Sequence, residues 1–91
     1  MKILIGDTCL KTASAIIVNG KKILAYMQSF GEEPHSVMFP KLVDQVLNIA
    51  ETDFNSLDAV ACVYGPGSFT GLRIGLTYLK TLAYTLDIPF Y

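Results

Sequence analysis

An α/β fold built on a mixed five-stranded sheet with two helices is the architecture this sequence predicts, and three observations carry the prediction. Apolar runs flank Asn19-Gly20, a pair that accepts the positive-φ positions of a two-residue hairpin turn. The run Ala59 to Tyr64, AVACVY, has no polar alternation, as expected of an inner strand covered on both faces. Two longer stretches, about 36–51 and 70–86, repeat apolar residues at helical spacing.

Taken in order, Lys2 to Asp7 reads as the first strand, Thr12 to Val18 as the second and Lys21 to Phe30 as the third, an antiparallel meander. Gly31-Glu32-Glu33-Pro34 breaks the pattern. Ser36 is placed to cap a first helix that runs to about Glu51, with Pro40 near its first turn, where a missing N–H costs little. After a connection over 53–58 comes the fourth strand, Ala59 to Tyr64. A helix between it and the meander makes it run parallel to the first strand. Residues 65–75, GPGSFTGLRIG, then lead into a second helix from about Thr70 to Leu86, and Ile88-Pro89-Phe90-Tyr91 opens a fifth strand. The expected sheet order is 3-2-1-4-5. With no internal repeat, low-complexity tract or linker, residues 1–91 read as a single domain.

Composition narrows the function. The 91 residues are 52% hydrophobic and 16% charged, rich for a small domain, so surplus apolar surface is expected to meet another molecule. Seven basic against eight acidic residues leave no basic footprint for nucleic acid, and contact with RNA is expected to be indirect. Cys9 and Cys62 lie in apolar surroundings with no signal-peptide pattern before them, which reads as a cytoplasmic protein with reduced, buried thiols. No apolar run reaches the ~18 residues of a membrane span.

The glycine-rich stretch raises the question of a phosphate site. It is not a P-loop, because no Lys-Ser/Thr pair follows the last glycine, and its spacing does not fit the dinucleotide fingerprint. Gly65 and Gly67 allow an unusual turn, and Ser68 or Thr70 can cap the helix that follows. This makes either a tight strand-to-helix corner or a contact for an anion at the positive end of a helix dipole. Gly71 and Gly75 lie one turn apart and form a small-residue face for close approach of another helix. His35 is the only histidine and has no second ligand at helical spacing, so neither a metal site nor a Ser/His/Asp set is expected. Arg73 and Lys80 read as a solvated helix face. The first helix has an apolar arc of about half its circumference, wider than the ~100° that one sheet requires. The second carries Ile74, Thr77, Tyr78 and Thr81 beside its core stripe. Met38, Leu42, Gly71, Ile74, Gly75, Tyr78 and Thr81 are therefore the candidate partner interface.

The element order is that of a ribonuclease H-like half-domain, the unit duplicated in the actin, Hsp70 and sugar-kinase superfamily. GPGSFTGLRIG closely resembles the amino-terminal half of the TsaB (YeaZ) family. So do Ile5-Gly6-Asp7-Thr8, His35-Ser36 at the first helix, and Leu82-Ala83-Tyr84 followed by Ile88-Pro89. The resemblance covers essentially the whole chain. Two departures stand out: the family's second domain is absent, and Cys9 stands where a serine is usual.

The resemblance implies a non-catalytic scaffold for tRNA threonylcarbamoyladenosine synthesis. Such proteins pair with TsaD, which holds metal and nucleotide, and the TsaE ATPase joins them. A homodimer is implied for the chain alone. On the same footing Asp7, Thr8, Gly67 and Ser68 look like the remnant of a phosphate site, with no cofactor, metal or catalytic residue expected. The alternative reading is a nucleotide-binding lobe of a kinase-like enzyme, or an inactive peptidase-like homologue.

Overall fold

The computed structural model describes residues 1–91. The elements are β1 (Lys2–Asp7), β2 (Ser14–Asn19), β3 (Lys22–Gln28), α1 (His35–Ile49), β4 (Ala59–Cys62) and α2 (Phe69–Leu86), with a 3-10 turn at Phe54–Ser56. They form one mixed sheet in the order β3-β2-β1-β4. The meander is antiparallel and β4 runs parallel to β1, as expected.

The sheet has four strands and not five. Beyond β4 there is a single parallel bridge, Val60 to Phe90. Around it Val60 N–H donates to the Pro89 carbonyl (3.0 Å), Tyr91 N–H to Val60 (2.9 Å) and Cys62 N–H to Tyr91 (3.0 Å). Pro89 accepts but has no N–H to give. β4 is therefore the last of the four strands, with residues 89–91 bonded along its outer side.

Element ends shift for local reasons. α1 begins at His35, and its N-cap is Pro34, extended at ψ 148°, with no side-chain cap. The Pro34 carbonyl accepts from Val37 (3.0 Å) and Met38 (2.9 Å), so Ser36 sits inside the first turn and does not cap it. Pro40 falls deeper in the helix than expected. α2 is capped by Ser68. Asp87 closes it in the left-handed region at φ 56°, and Ile88 N–H reaches back to Ala83.

Both helices lie on one face of the sheet. A Cβ at Gly6 would overlap Phe39 of α1 and Leu79 of α2, so that strand position is where the two helices meet the sheet together. Leu4, Ile17, Phe39, Val43, Val46, Val60 and Leu79 are fully buried between the layers. Ile3, Ile5, Ile16, Val18 and Ala61 alternate with the core-facing strand residues and are only partly buried, outside that core. The apolar run of β4, expected to be covered on both faces, is covered by helices on one.

Candidate functional site

The glycine-rich stretch ties α2 to the end of β1. Asp7, the last residue of β1, accepts the N–H of Cys9 on Oδ1 (2.9 Å). Ser68 N–H donates to the Cys9 carbonyl (2.6 Å), and Ser68 Oγ accepts from Gly71 N–H (3.1 Å). Gly67 has φ 149° and lies against Cys9, where any Cβ would overlap the Cys9 carbonyl. Only glycine fits on both counts.

Thr8 is the centre of this corner. It is completely buried, its hydroxyl donating to the Gly71 carbonyl (2.6 Å) and accepting from Gly75 N–H (3.1 Å). Those two groups are the pair an α-helix joins across one turn, so the hydroxyl is seated in the helical ladder. Gly71 and Gly75 are buried because Thr8 sits on them; a Cβ at either would overlap its carbonyl or its hydroxyl. The close approach these glycines permit belongs to the end of β1 and not to another helix. Asp7, Thr8, Gly67 and Ser68 thus lie around one corner, where the side chains of Asp7, Thr8 and Ser68 bond to Cys9, Gly71 and Gly75. The Thr8 hydroxyl in particular has no surface to offer a phosphate.

Beside the corner lies a hollow of about 510 Å³ between the loop after β1 and the start of α2. Lys11, His35, Ser68 and Thr70 are among its lining residues. His35 Nε2 lies 2.7 Å from the Leu10 carbonyl, fastening α1 to the loop after β1. Sequence spacing gave His35 no such task, because its partner is 25 residues away.

The two thiols are free and buried. Cys9 and Cys62 Sγ both point at the Val63 carbonyl, at 3.3 and 3.6 Å. Burial first, then the Asp7 charge, raises the Cys9 thiol; burial, then Cys9 and Asp7, pushes Cys62 up to about 11. Both are protonated at neutral pH and are poor nucleophiles.

The predicted helical interface divides in two. Leu42 is 2% exposed and belongs to the core, as Gly71 and Gly75 belong to the Thr8 contact, so these three are not on a surface. Met38, Ile74 and Tyr78 are half-buried and Thr81 is exposed. Ile74 and Tyr78 line a groove of about 560 Å³ between α1 and α2, with Phe39, Pro40 and Arg73. The Tyr78 ring meets Phe39 edge-on at 5.5 Å, and burial, then Asp44, raises its hydroxyl above the ordinary value. Phe39 and Pro40 were not foreseen there, since helical periodicity assigns Phe39 wholly to the core. The groove offers an apolar floor, an aromatic hydroxyl and one guanidinium. An apolar floor with a few polar groups is the make-up of a binding site.

Comparison with known proteins places this geometry. A family model described as TsaD, tRNA N6-adenosine threonylcarbamoyltransferase, matches residues 7–91. The chain is 35% identical over 100 residues to the tRNA N6-adenosine threonylcarbamoyltransferase of Clostridium perfringens, covering 93% of this chain and 30% of that protein. It is 36% identical over 89 residues to the tRNA threonylcarbamoyladenosine biosynthesis protein TsaB of Bacillus subtilis, covering 98% of this chain and 39% of that one. Among solved structures it superposes on YeaZ from Pseudomonas aeruginosa with a TM-score of 0.89 at 26% identity, over 99% of this chain and 42% of the other. Thermus thermophilus RuvC shares the fold at a TM-score of 0.59 and 17% identity, over 100% of this chain and 62% of that one. The chain thus spans about a third of the length of these curated relatives.

Proposed function

This chain belongs to the TsaD family, and on that premise we propose that it is a non-catalytic scaffold and activator module in tRNA threonylcarbamoyladenosine formation, acting on a TsaD-like partner. The observation that carries the reading is the α1–α2 groove: an open, largely apolar docking surface on a molecule whose Thr8 hydroxyl is turned into the fold. Likeness to TsaB and YeaZ over nearly the whole chain supports the scaffold role. The strand order supports a ribonuclease H-like half-domain. In this reading the partner supplies nucleotide, metal and tRNA contact, in keeping with the chain's formal charge of -1. TsaE joins the assembly, the setting is the cytoplasm, and the chain alone pairs with itself.

A second reading has its own support. The family model and the clostridial relative are named as transferases, and the hollow beside Ser68 has the setting of a nucleotide lobe. Calorimetry with magnesium and ATP, run beside a pull-down with a TsaD protein, separates the two. The scaffold reading expects capture of TsaD, weakened by Ile74→Glu, and no nucleotide binding by the chain alone. Micromolar ATP binding without partner, lost in Lys11→Ala, would favour the enzyme lobe.

A further inference from the structure

We infer that Cys9 and Cys62 are a redox pair: hydrogen peroxide joins them in a reversible disulfide within the chain, and that bond loosens the corner at the start of α2. The inference concerns side chains inside the fold and is independent of the α1–α2 groove.

Topology brings the two thiols together. Cys62 ends β4 and is paired with Gly6 of β1, and Cys9 lies in the loop that continues from that end of β1. The parallel strands from which they extend stand about 4.8 Å apart, within the Cα spacing that a disulfide spans. Both sulfurs point at one acceptor, the Val63 carbonyl, Cys9 Sγ at 3.3 Å and Cys62 Sγ at 3.6 Å, so no more than two hydrogen-bond lengths separate them. Only 2% of Cys9 and 8% of Cys62 is exposed, which favours each other as partner over a thiol of another molecule.

Placement assigns the order of events. Cys9 is one of the residues lining the hollow of about 510 Å³ beside α2, and Cys62 is not. Peroxide is close to water in size and fits that hollow. The Cys9 sulfur, its proton lost to water, attacks one peroxide oxygen; the O–O bond breaks, the hydroxide leaving group takes up a proton as water, and Cys9 becomes a sulfenic acid. The Cys62 sulfur, likewise deprotonated, then attacks the Cys9 sulfur; the S–S bond forms, the S–O bond breaks and a second water leaves. Two thiols are oxidised by two electrons while one peroxide is reduced to two waters. Burial holds both thiols protonated, so the first step is slow and answers to oxidative load. The same high values make each sulfur a poor leaving group, so the bond once formed persists until a dithiol reduces it.

The bond acts on the corner through Cys9. Its N–H donates to Asp7 Oδ1 (2.9 Å), its carbonyl accepts from Ser68 N–H (2.6 Å), and a Cβ at Gly67 would overlap its carbonyl and its Cβ. Drawing Cys9 toward Cys62 pulls on these contacts, and oxidation removes both S–H donors from the Val63 carbonyl. Ser68, which caps α2 through Gly71 N–H, is where the redox state is read.

The full chain is treated with hydrogen peroxide, denatured in N-ethylmaleimide and weighed intact, with amide hydrogen exchange on the reduced and oxidised forms. The wild type is expected to lose two hydrogen atoms, to take up no maleimide, and to regain both thiols in dithiothreitol. Cys62→Ser is expected to stop at a Cys9 sulfenic acid, trapped by dimedone on denaturation, and Cys9→Ser to keep the Cys62 thiol and take up one maleimide. Serine is close to cysteine in size, and circular dichroism checks that both variants fold. The Ser68 and Gly71 amides are expected to exchange at least about tenfold faster in the oxidised chain and to recover on reduction. A wild type that still takes up two maleimides, or a disulfide that links two chains, overturns the pair. Sulfenic acid at Cys62 in Cys9→Ser overturns the order of attack, and unchanged Ser68 and Gly71 exchange in the oxidised chain overturns the coupling to α2.

Discussion

One hydroxyl joins the two ends of the motif that first draws attention in this sequence. Thr8 Oγ1 bridges Gly71 and Gly75, and each glycine is there because Thr8 is. Replacing Thr8 by valine keeps the shape but leaves a buried carbonyl and N–H without that partner, and is expected to cost about 1–3 kcal/mol in urea unfolding. Gly75→Ala, which on helix propensity alone would gain about 1 kcal/mol, is expected to destabilise through overlap with Thr8 Oγ1. The double variant Thr8→Ala/Gly75→Ala should be less destabilised than the sum of the singles; simple additivity would contradict the contact. The glycine spacing was legible as a demand for close approach. Its satisfier was not, because the contact spans 63 residues and pairs a strand end with a helix. Cys62 gives a pH prediction at the same scale. Its folded-state value, about 11 against 9.0 for the free thiol, means the folded form holds the proton longer. The Cys62 contribution to stability is then expected to be constant below pH 9 and to be lost between 9 and 11, and Cys62→Ser to lessen the slope of alkaline urea melts over that range.

Elements were legible where a local signal suffices. The hairpin was legible but its turn lies one residue later than expected, since Asn19 ends β2 opposite Lys22 and leaves Gly20, at φ 62°, and Lys21 as the turn; Ser68 was one of the two caps expected for α2. The start of α1 was misread because Ser36 carries a cap residue's chemistry, while the extended backbone of Pro34 places the boundary one residue before His35. At the other end of α2, Asp87 holds a left-handed conformation without being glycine. Asp87→Gly is therefore expected to raise stability by roughly 0.5–1 kcal/mol, read as a higher urea midpoint. The two sides of α2 should respond oppositely to charge. Leu79 is fully buried and Leu79→Glu is expected to abolish the cooperative transition, whereas half-buried Ile74 should tolerate glutamate with its helical signal intact. A folded Leu79→Glu variant would show that the layer under Gly6 is misassigned.

At the scale of the molecule, composition foretold surplus apolar surface, and the fold distributes it more widely than the helices alone. The wide apolar arc of α1 is consumed largely inside, with Phe39, Leu42, Val43, Val46 and Leu47 all buried. Part of the remaining surplus is on the sheet, where half-buried Ile3, Ile5, Ile16 and Val18 face away from both helices, and part is on loops and helix surfaces, at Phe30, Phe69 and Tyr84. No single strand could reveal this, because which face a helix covers depends on how the crossovers stack. The fold therefore presents the α1–α2 groove on one side of the sheet and a partly exposed apolar sheet face on the other. The account rests on the groove as the contact through which a catalytic relative is engaged. Isothermal titration of this chain into a TsaD protein tests that claim most directly. The account predicts a saturable complex with one copy of each, weakened at least about tenfold by Ile74→Glu and unchanged by Tyr26→Lys. No heat of binding at high micromolar concentration, or a complex indifferent to Ile74→Glu, would contradict it.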